Sequence, residues 1–286
     1  MARIFVVYLA SMAIRVLDDR QRELVFIRPP RRIVSLVPSD TLNVKALGFS
    51  VVGRTRYCDG DAPIVGGTKD VDVDAVARLE PDLILANQEE NSRVHLEELA
   101  RLDLPILISF PRTVADGIAH LARLAKILEA DDARDLIRRG YAMLSSPIPQ
   151  PPLEAFVPIW MDPLMTVNAH TFMSDALRLA GGANVFADRE RRFPLAADLG
   201  QAIPTPAGTR DTRYPRITFE EVAQRKPRVI LLPDEPHPFS EEDSSVFRVR
   251  VPQARVVRCG GRDFSWYGAQ SIEGIPRLRA LIDSLR

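Results

Sequence analysis

Cysteine is nearly missing: Cys58 and Cys259 are the only two in 286 residues. Two thiols so far apart build neither a disulfide framework nor a zinc site of short ligand spacing, and they read as free thiols. Lysine is almost as scarce, with Lys45, Lys69, Lys126 and Lys226 standing among 38 basic residues. Charge of neither sign is in excess, 38 basic residues facing 38 acidic ones for a net charge of +0. With no basic surplus to displace phosphate counterions, nucleic-acid binding by bulk electrostatics is excluded. No apolar run reaches the roughly 18–20 residues that cross a bilayer. Catalytic motifs are also missing: no phosphate-cradling glycine loop, no nucleophile elbow, no metal-ligand cluster. Gly66-Gly67-Thr68-Lys69 lacks the first glycine of a phosphate loop at the required spacing and reads as a turn. The sequence therefore points away from an enzyme and from a catalytic cofactor.

What is present is a globular composition, 46% hydrophobic and 27% charged, with a length that suggests about two lobes at roughly 150 residues each. Ile4–Ile14 is mostly apolar behind Arg3. It has three readings: a secretory leader cut near Ser11-Met12-Ala13, a first β-strand, or a stretch preceding a start at Met12. The compartment, extracytoplasmic or cytoplasmic, stays open on this ground. Ile14–Leu17 and Glu23–Ile27 predict a hairpin, and Pro29-Pro30 stops it, closing an N-terminal extension over residues 1–30.

From Arg32 strands alternate with helices. Ile33–Val37, Val51–Gly53, Leu83–Ala86 and Pro105–Phe110 read as strands. Helices are expected from a Ser39 cap to Leu47, over Asp72–Leu79 and over Ser92–Leu102. Such alternation implies parallel pairing with crossover helices, here in an N-terminal α/β lobe over 31–112. Residues 113–146 carry a helical pattern, with Val114, Ile118, Leu121, Ala125 and Leu128 on one stripe and a second segment, Asp132–Leu144, with Leu136, Ile137, Tyr141 and Leu144 on its apolar side, and together they read as a connecting backbone helix. Four prolines between Ser145 and Pro152 make a stiff boundary. A C-terminal α/β lobe over 147–286 then restarts the alternation. Its strands are Phe156–Trp160, Val229–Leu232 and Arg255–Arg258; its helices are Thr171–Ala180, Phe219–Gln224 and one within Tyr267–Leu285. Phe193–Thr212 reads as a long loop, and loops of that length are usually functional. The expected fold class is α/β: two Rossmann-like lobes joined by a single long helix, with a ligand cleft between the lobes.

The order of several motifs resembles the class III periplasmic substrate-binding proteins, the helical-backbone receptors that feed cobalamin, haem and iron–siderophore complexes to ABC importers. In the first lobe these are Arg31–Ser39, Leu47-Gly48, Tyr57-Cys58-Asp59, Gly66–Lys69 and Leu79–Leu85. In the second they are Trp160–Val167, Gly181–Phe186, Tyr214–Val222, Glu235–Phe239 and Phe264–Gly268. The resemblance spans residues 13 to 285 and leans toward the cobalamin-binding branch. It implies a single non-enzymatic binding site, a monomer, an extracytoplasmic location and an ABC permease as partner. Two further readings stand beside it: a haem or iron–siderophore receptor on the same scaffold, and an intracellular corrinoid-handling protein with no transporter.

Loops after strand C-termini form the ligand face of an open parallel sheet. By that rule the ligand-binding candidates of the first lobe are Ser39, Tyr57, Cys58, Glu90 and Asn91. Those of the second are Trp160, Asp162, Met165, His170, Tyr214, Glu235, His237, Ser265, Trp266 and Tyr267. A corrinoid is a broad, half-apolar disc fringed with amides: aromatic faces cover the disc and hydroxyls or amides meet the fringe. His170 and His237 either ligate a cargo metal axially or donate a hydrogen bond; His95 and His120, on helices, read as surface or satisfied groups. The resemblance also implies an acidic docking residue at the outer tip of each lobe. Glu220 takes that place in the second lobe, whereas in the first the match falls on Ser92-Arg93-Val94, with Glu97 and Glu98 a turn away.

Overall fold

A computed structural model describes residues 13–286, so all but the end of the Ile4–Ile14 segment lies outside the described residues. Two compact units divide the described chain. The first comprises residues 13–111, 115–142 and 266–270; the second comprises 112–114, 143–265 and 271–286.

In the first unit, β1 (Ile14–Leu17) and β2 (Glu23–Phe26) form the expected antiparallel hairpin. The main sheet holds β3 (Ile33–Ser35), β4 (Gly53–Arg54), β5 (Leu83–Asn87) and β6 (Ile106–Ser109) in the order β4-β3-β5-β6, all parallel. Every residue of β3, β5 and β6 is buried, as expected for a parallel sheet covered on both faces. The crossovers carry α1 (Pro38–Ala46), α2 (Val73–Arg78) and α3 (Arg93–Ala100). Helix α1 begins two residues earlier than expected. Pro38 supplies its first turn, Val37 occupies the cap position, and Ser39 is a buried helical residue rather than a cap. Gly48, at φ 86°, provides the left-handed stop that the sequence places there.

The helical stretch 113–146 is two helices, not one rod. Helix α4 (Val114–Leu128) ends where Glu129 turns left-handed at φ 50°. A single 3-10 turn at Asp131–Ala133 then leads into α5 (Arg134–Leu144). The break sits where acidic residues that favour caps follow the apolar stripe.

In the second unit, β7 (Leu153–Phe156), β10 (Gly182–Asn184), β11 (Val229–Pro233) and β12 (Arg255–Cys259) form a parallel sheet in the order β10-β7-β11-β12. The expected strand Phe156–Trp160 is split. Its start belongs to β7, and Pro158–Met161 forms β8, paired antiparallel with β9 (Leu164–Thr166). Helices α6 (Phe172–Leu179), α7 (Leu195–Asp198), α8 (Phe219–Arg225), α9 (Glu241–Arg250), α10 (Arg262–Ser265) and α11 (Ala269–Ser284) complete the described elements. Thr171, Thr218 and Ser240 cap α6, α8 and α9 by accepting from the third helical N–H, and Ser240 with Asp243 forms a capping box.

The segment Phe193–Thr212 is an ordered excursion rather than a plain loop. It contains α7 and is pinned by the buried pair Arg189–Asp198 at 2.9 Å. Asp198 also accepts from the backbone N–H of Arg192 and of Arg216, and Arg189 reaches Glu221 at 2.9 Å.

Candidate ligand site

The carboxyl ends of the parallel strands put polar side chains together in the first unit. Asn87 and Ser109 lie opposite each other in the register of β5 and β6, and Asn87 Nδ2 donates to Ser109 Oγ at 3.3 Å. Ser109 Oγ lies 2.9 Å from the Tyr267 hydroxyl, which donates to Asp40 Oδ2 at 3.0 Å. Asp40 Oδ1 accepts from His120 Nε2 at 2.8 Å and from Asn43 Nδ2 at 3.2 Å. Arg123 Nη2 lies 2.8 Å from His120 Nδ1, and Arg123 Nη1 pairs with Asp19 at 2.8 Å. A guanidinium can only donate, so His120 Nδ1 accepts and the ring carries its proton on Nε2. His120 thus bridges Arg123 and Asp40, which is the satisfied helical histidine the sequence suggests. Tyr267, 3% exposed, has its pKa pushed well above the usual phenol range by burial and by the Asp40 charge, so it remains a donor.

This network takes several candidates out of solvent. Tyr267 and Trp266 are buried, as is Ser39. Asn91 is spent inside the unit: its amide donates to Leu36 O and Thr68 O, both at 3.1 Å, and its carbonyl accepts from Asn87 N at 2.7 Å. Cys58 is buried against Thr55 Oγ1 at 3.1 Å, and burial raises its pKa, so it offers no ready thiolate. Glu90 is half-buried, and Tyr57 stands 58% exposed beside Arg56.

In the second unit the carboxyl edge is more open. Trp160, 46% exposed, meets the His237 ring edge-on at 5.3 Å, and His237 meets Phe239 at 4.6 Å. Trp160 Nε1 donates to Asp162 O at 3.1 Å, folding the β8–β9 turn under the indole. His237 Nε2 lies 3.7 Å from Asp243. Beside this stack Ser265 Oγ donates to Glu235 Oε1 at 2.7 Å, and Asp234 accepts from Gly261 N at 2.6 Å. Gly261 is required here, because a Cβ would collide with the Glu235 backbone. Burial, with Asp234 and Asp263 nearby, pushes the Cys259 pKa up to about 12. The structure therefore brings Trp160, Glu235, His237 and Ser265 to one edge. Met165 pairs with Trp160 across the β8–β9 hairpin, and the Tyr214 segment runs alongside β9. Asp162 and His170 are exposed on flanking turns.

Sequence reasoning passed over Asp40, Asn43 and Ser109. Their signal was weak: polar residues just past strand ends, in segments otherwise apolar. Among the described residues no three His, Cys, Asp or Glu side chains are grouped so as to hold a metal ion. Glu220 is exposed on the first turn of α8, with its carboxylate 2.7 Å from Arg250; a backbone hydrogen bond, then Thr218 and Arg250, hold its pKa down. In the first unit Arg93 opens α3 and is held by Glu97 at 2.6 Å.

Each of the two α/β units is built on a four-stranded parallel sheet with polar and aromatic side chains at its carboxyl edge. In sequence the chain is similar to vitamin B12-binding proteins, and in fold to periplasmic binding proteins for vitamin B12 and heme. No family model matches it. It is 29% identical over 213 residues to the vitamin B12-binding protein of Yersinia pestis (strain Pestoides F), covering 70% of this chain and 69% of that protein. Among solved structures, the periplasmic vitamin B12 binding protein BtuF of Vibrio cholerae matches with a TM-score of 0.63 at 19% identity, over 90% of this chain and 98% of that one. The periplasmic heme-binding protein RhuT from Roseiflexus sp. RS-1 matches with a TM-score of 0.66 at 18% identity, over 90% and 99%. These structural likenesses establish the shared fold.

Proposed function

We propose that the chain is a non-enzymatic receptor that binds one corrinoid of the cobalamin type, acts outside the cytoplasm as a monomer, and delivers its ligand to an ABC importer. The observation that carries this reading is the 29% identity to a vitamin B12-binding protein over 213 residues. The chemistry of the second unit supports it. The exposed Trp160 face, backed by His237 and Phe239, suits the apolar disc of a corrin, and the Glu235–Ser265 pair suits its amide fringe. Glu220 is the docking contact for a permease, exchanging Arg250 for a basic group of the partner.

Titration calorimetry of the purified chain with cyanocobalamin tests the reading. Saturable binding at one site, micromolar or tighter, is expected, and Trp160→Ala should weaken it. Saturation by haemin with none by any corrinoid would replace this reading with the haem receptor.

A further inference from the structure

The segment Pro215–Ile217 runs antiparallel beside β9 of the β8–β9 hairpin through a single bridge at Arg216. Thr166 N donates to Pro215 O at 3.1 Å and Ile217 N to Leu164 O at 2.9 Å, which leaves Met165 and Arg216 directly opposite each other. Met165 is in turn opposite Trp160. Residues opposite each other in a sheet project from the same face, and pairs flanked rather than joined by hydrogen bonds bring their side chains closest. Burial agrees with this: Leu164, Thr166, Pro215 and Ile217 point inward, while Trp160, Met165 and Arg216 form an outward row. An indole, a thioether and a guanidinium therefore stand side by side on one face.

The guanidinium at the end of that row has no anion. In this region Arg189 is paired with Asp198 and Glu221, Arg213 with Asp211, and Arg225 with Asp188. Arg191 and Arg216 have no carboxylate within ion-pair distance among the described residues, and Arg210 donates to the carbonyls of Ala207 and Pro206. The two unmatched groups feel each other: burial and the positive charge of Arg191 both pull the Arg216 pKa down. Asp198, the carboxylate acting on Arg216, is already saturated by Arg189 and two backbone N–H groups. Arg216 Nη1 donates to Tyr214 O at 2.9 Å, and the remaining guanidinium N–H groups, in no ion pair among the described residues, suit an anionic oxygen group at the edge of the apolar shelf.

We propose that Arg216, assisted by Arg191, binds the phosphodiester of the cobalamin nucleotide loop while Trp160 and Met165 carry the corrin. The inference rests on the corrinoid reading above and adds what that reading leaves open, namely how the intact vitamin is told from its nucleotide-free precursors.

The test compares the affinities of cyanocobalamin, dicyanocobinamide, which lacks phosphate and base, and cobinamide phosphate, which restores the phosphate alone. The wild-type chain should bind the two phosphate-bearing ligands about ten- to hundred-fold more tightly than dicyanocobinamide, the range expected of a charge-assisted hydrogen bond. Arg216→Met should remove that preference while leaving the dicyanocobinamide affinity unchanged, which also shows that the shelf is intact. Arg216→Lys should retain part of the preference, and Arg191→Gln should reduce it. Equal wild-type affinity for all three ligands, or an Arg216→Met variant that still discriminates, overturns the inference and leaves the corrinoid reading standing. Failure of every corrinoid to bind overturns both. Haemin binding that depends on Arg216 assigns the pair to a carboxylate ligand and overturns the phosphodiester assignment.

Discussion

Replacing Tyr267 by Phe removes a single hydroxyl from the first unit, and its cost can be worked out from the contacts. Asp40 is fully buried and accepts three hydrogen bonds, two on Oδ1 and one, from Tyr267, on Oδ2. The substitution strips Oδ2 of its one donor among the described residues. Ser109 is spared, because its hydroxyl can turn to Ala86 O at 3.1 Å. The loss is therefore one hydrogen bond to a buried charge, about 2 kcal/mol. With a urea dependence of about 2 kcal/mol/M, the unfolding midpoint should fall by about 1 M at unchanged slope. The assay is urea unfolding in a Trp160→Phe background, where the remaining tryptophan, Trp266, sits next to the altered residue and reports on the unit that holds it. Ser109→Ala should cost less in the Tyr267→Phe background than alone, because the two hydroxyls share one network. A midpoint shift of less than about 0.2 M would refute the claim that Asp40 depends on this donor.

Three further outcomes are expected. Stability should fall as pH rises past about 10: the unfolded tyrosine ionises there while folded Tyr267, with its raised pKa, keeps its proton, so the unfolded state binds fewer protons and is favoured. An alkaline titration of the urea midpoint checks this, and Tyr267→Phe should flatten it. Neither Cys58 nor Cys259 should react appreciably with iodoacetamide at about pH 8, where an ordinary thiol is partly ionised, and mass spectrometry after timed exposure measures it. Arg189→Met should destabilise the second unit by about 3–5 kcal/mol, because it leaves Asp198 buried without its cation; thermal unfolding and proteolysis near residues 190–212 report it.

The alternation of strands and helices was legible because parallel strands buried on both faces leave short apolar runs: Ile33–Ser35, Leu83–Asn87 and Ile106–Ser109 were all visible. Helix α9 was missed. Glu241–Arg250 has little apolar periodicity, and only its Ser240–Asp243 capping box marks it. Pro158 hid the division of Phe156–Trp160 into two strands, since one apolar run serves two differently paired segments. At the site, loop position at strand ends singles out Trp160, Glu235, His237 and Ser265, and the structure has Trp160 against His237 and Ser265 against Glu235. The same rule could not tell exposed aromatics from buried ones. Trp266 and Tyr267 share an aromatic loop sequence with ligand-facing residues, yet their surroundings depend on Asp40, Asn43 and Ser109, more than 150 residues away in the chain. Nor does the sequence reveal that Arg216 stands in register with Trp160, because that register is set by hydrogen bonds from Thr166 and Ile217.

The residues 266–270 that complete the first unit are synthesised after almost all of the second. Asp40 and Ser109 wait for the Tyr267 hydroxyl, Asn43 waits for the backbone N–H of Ala269 at 2.8 Å, and Gly268 fits against Asn43 only because it lacks a side chain. A nascent chain that has emerged only as far as residue 142 therefore holds a carboxylate in its interior without its final partner. The last hydrogen bonds of the first unit therefore form only after the residues near the carboxyl terminus have been made.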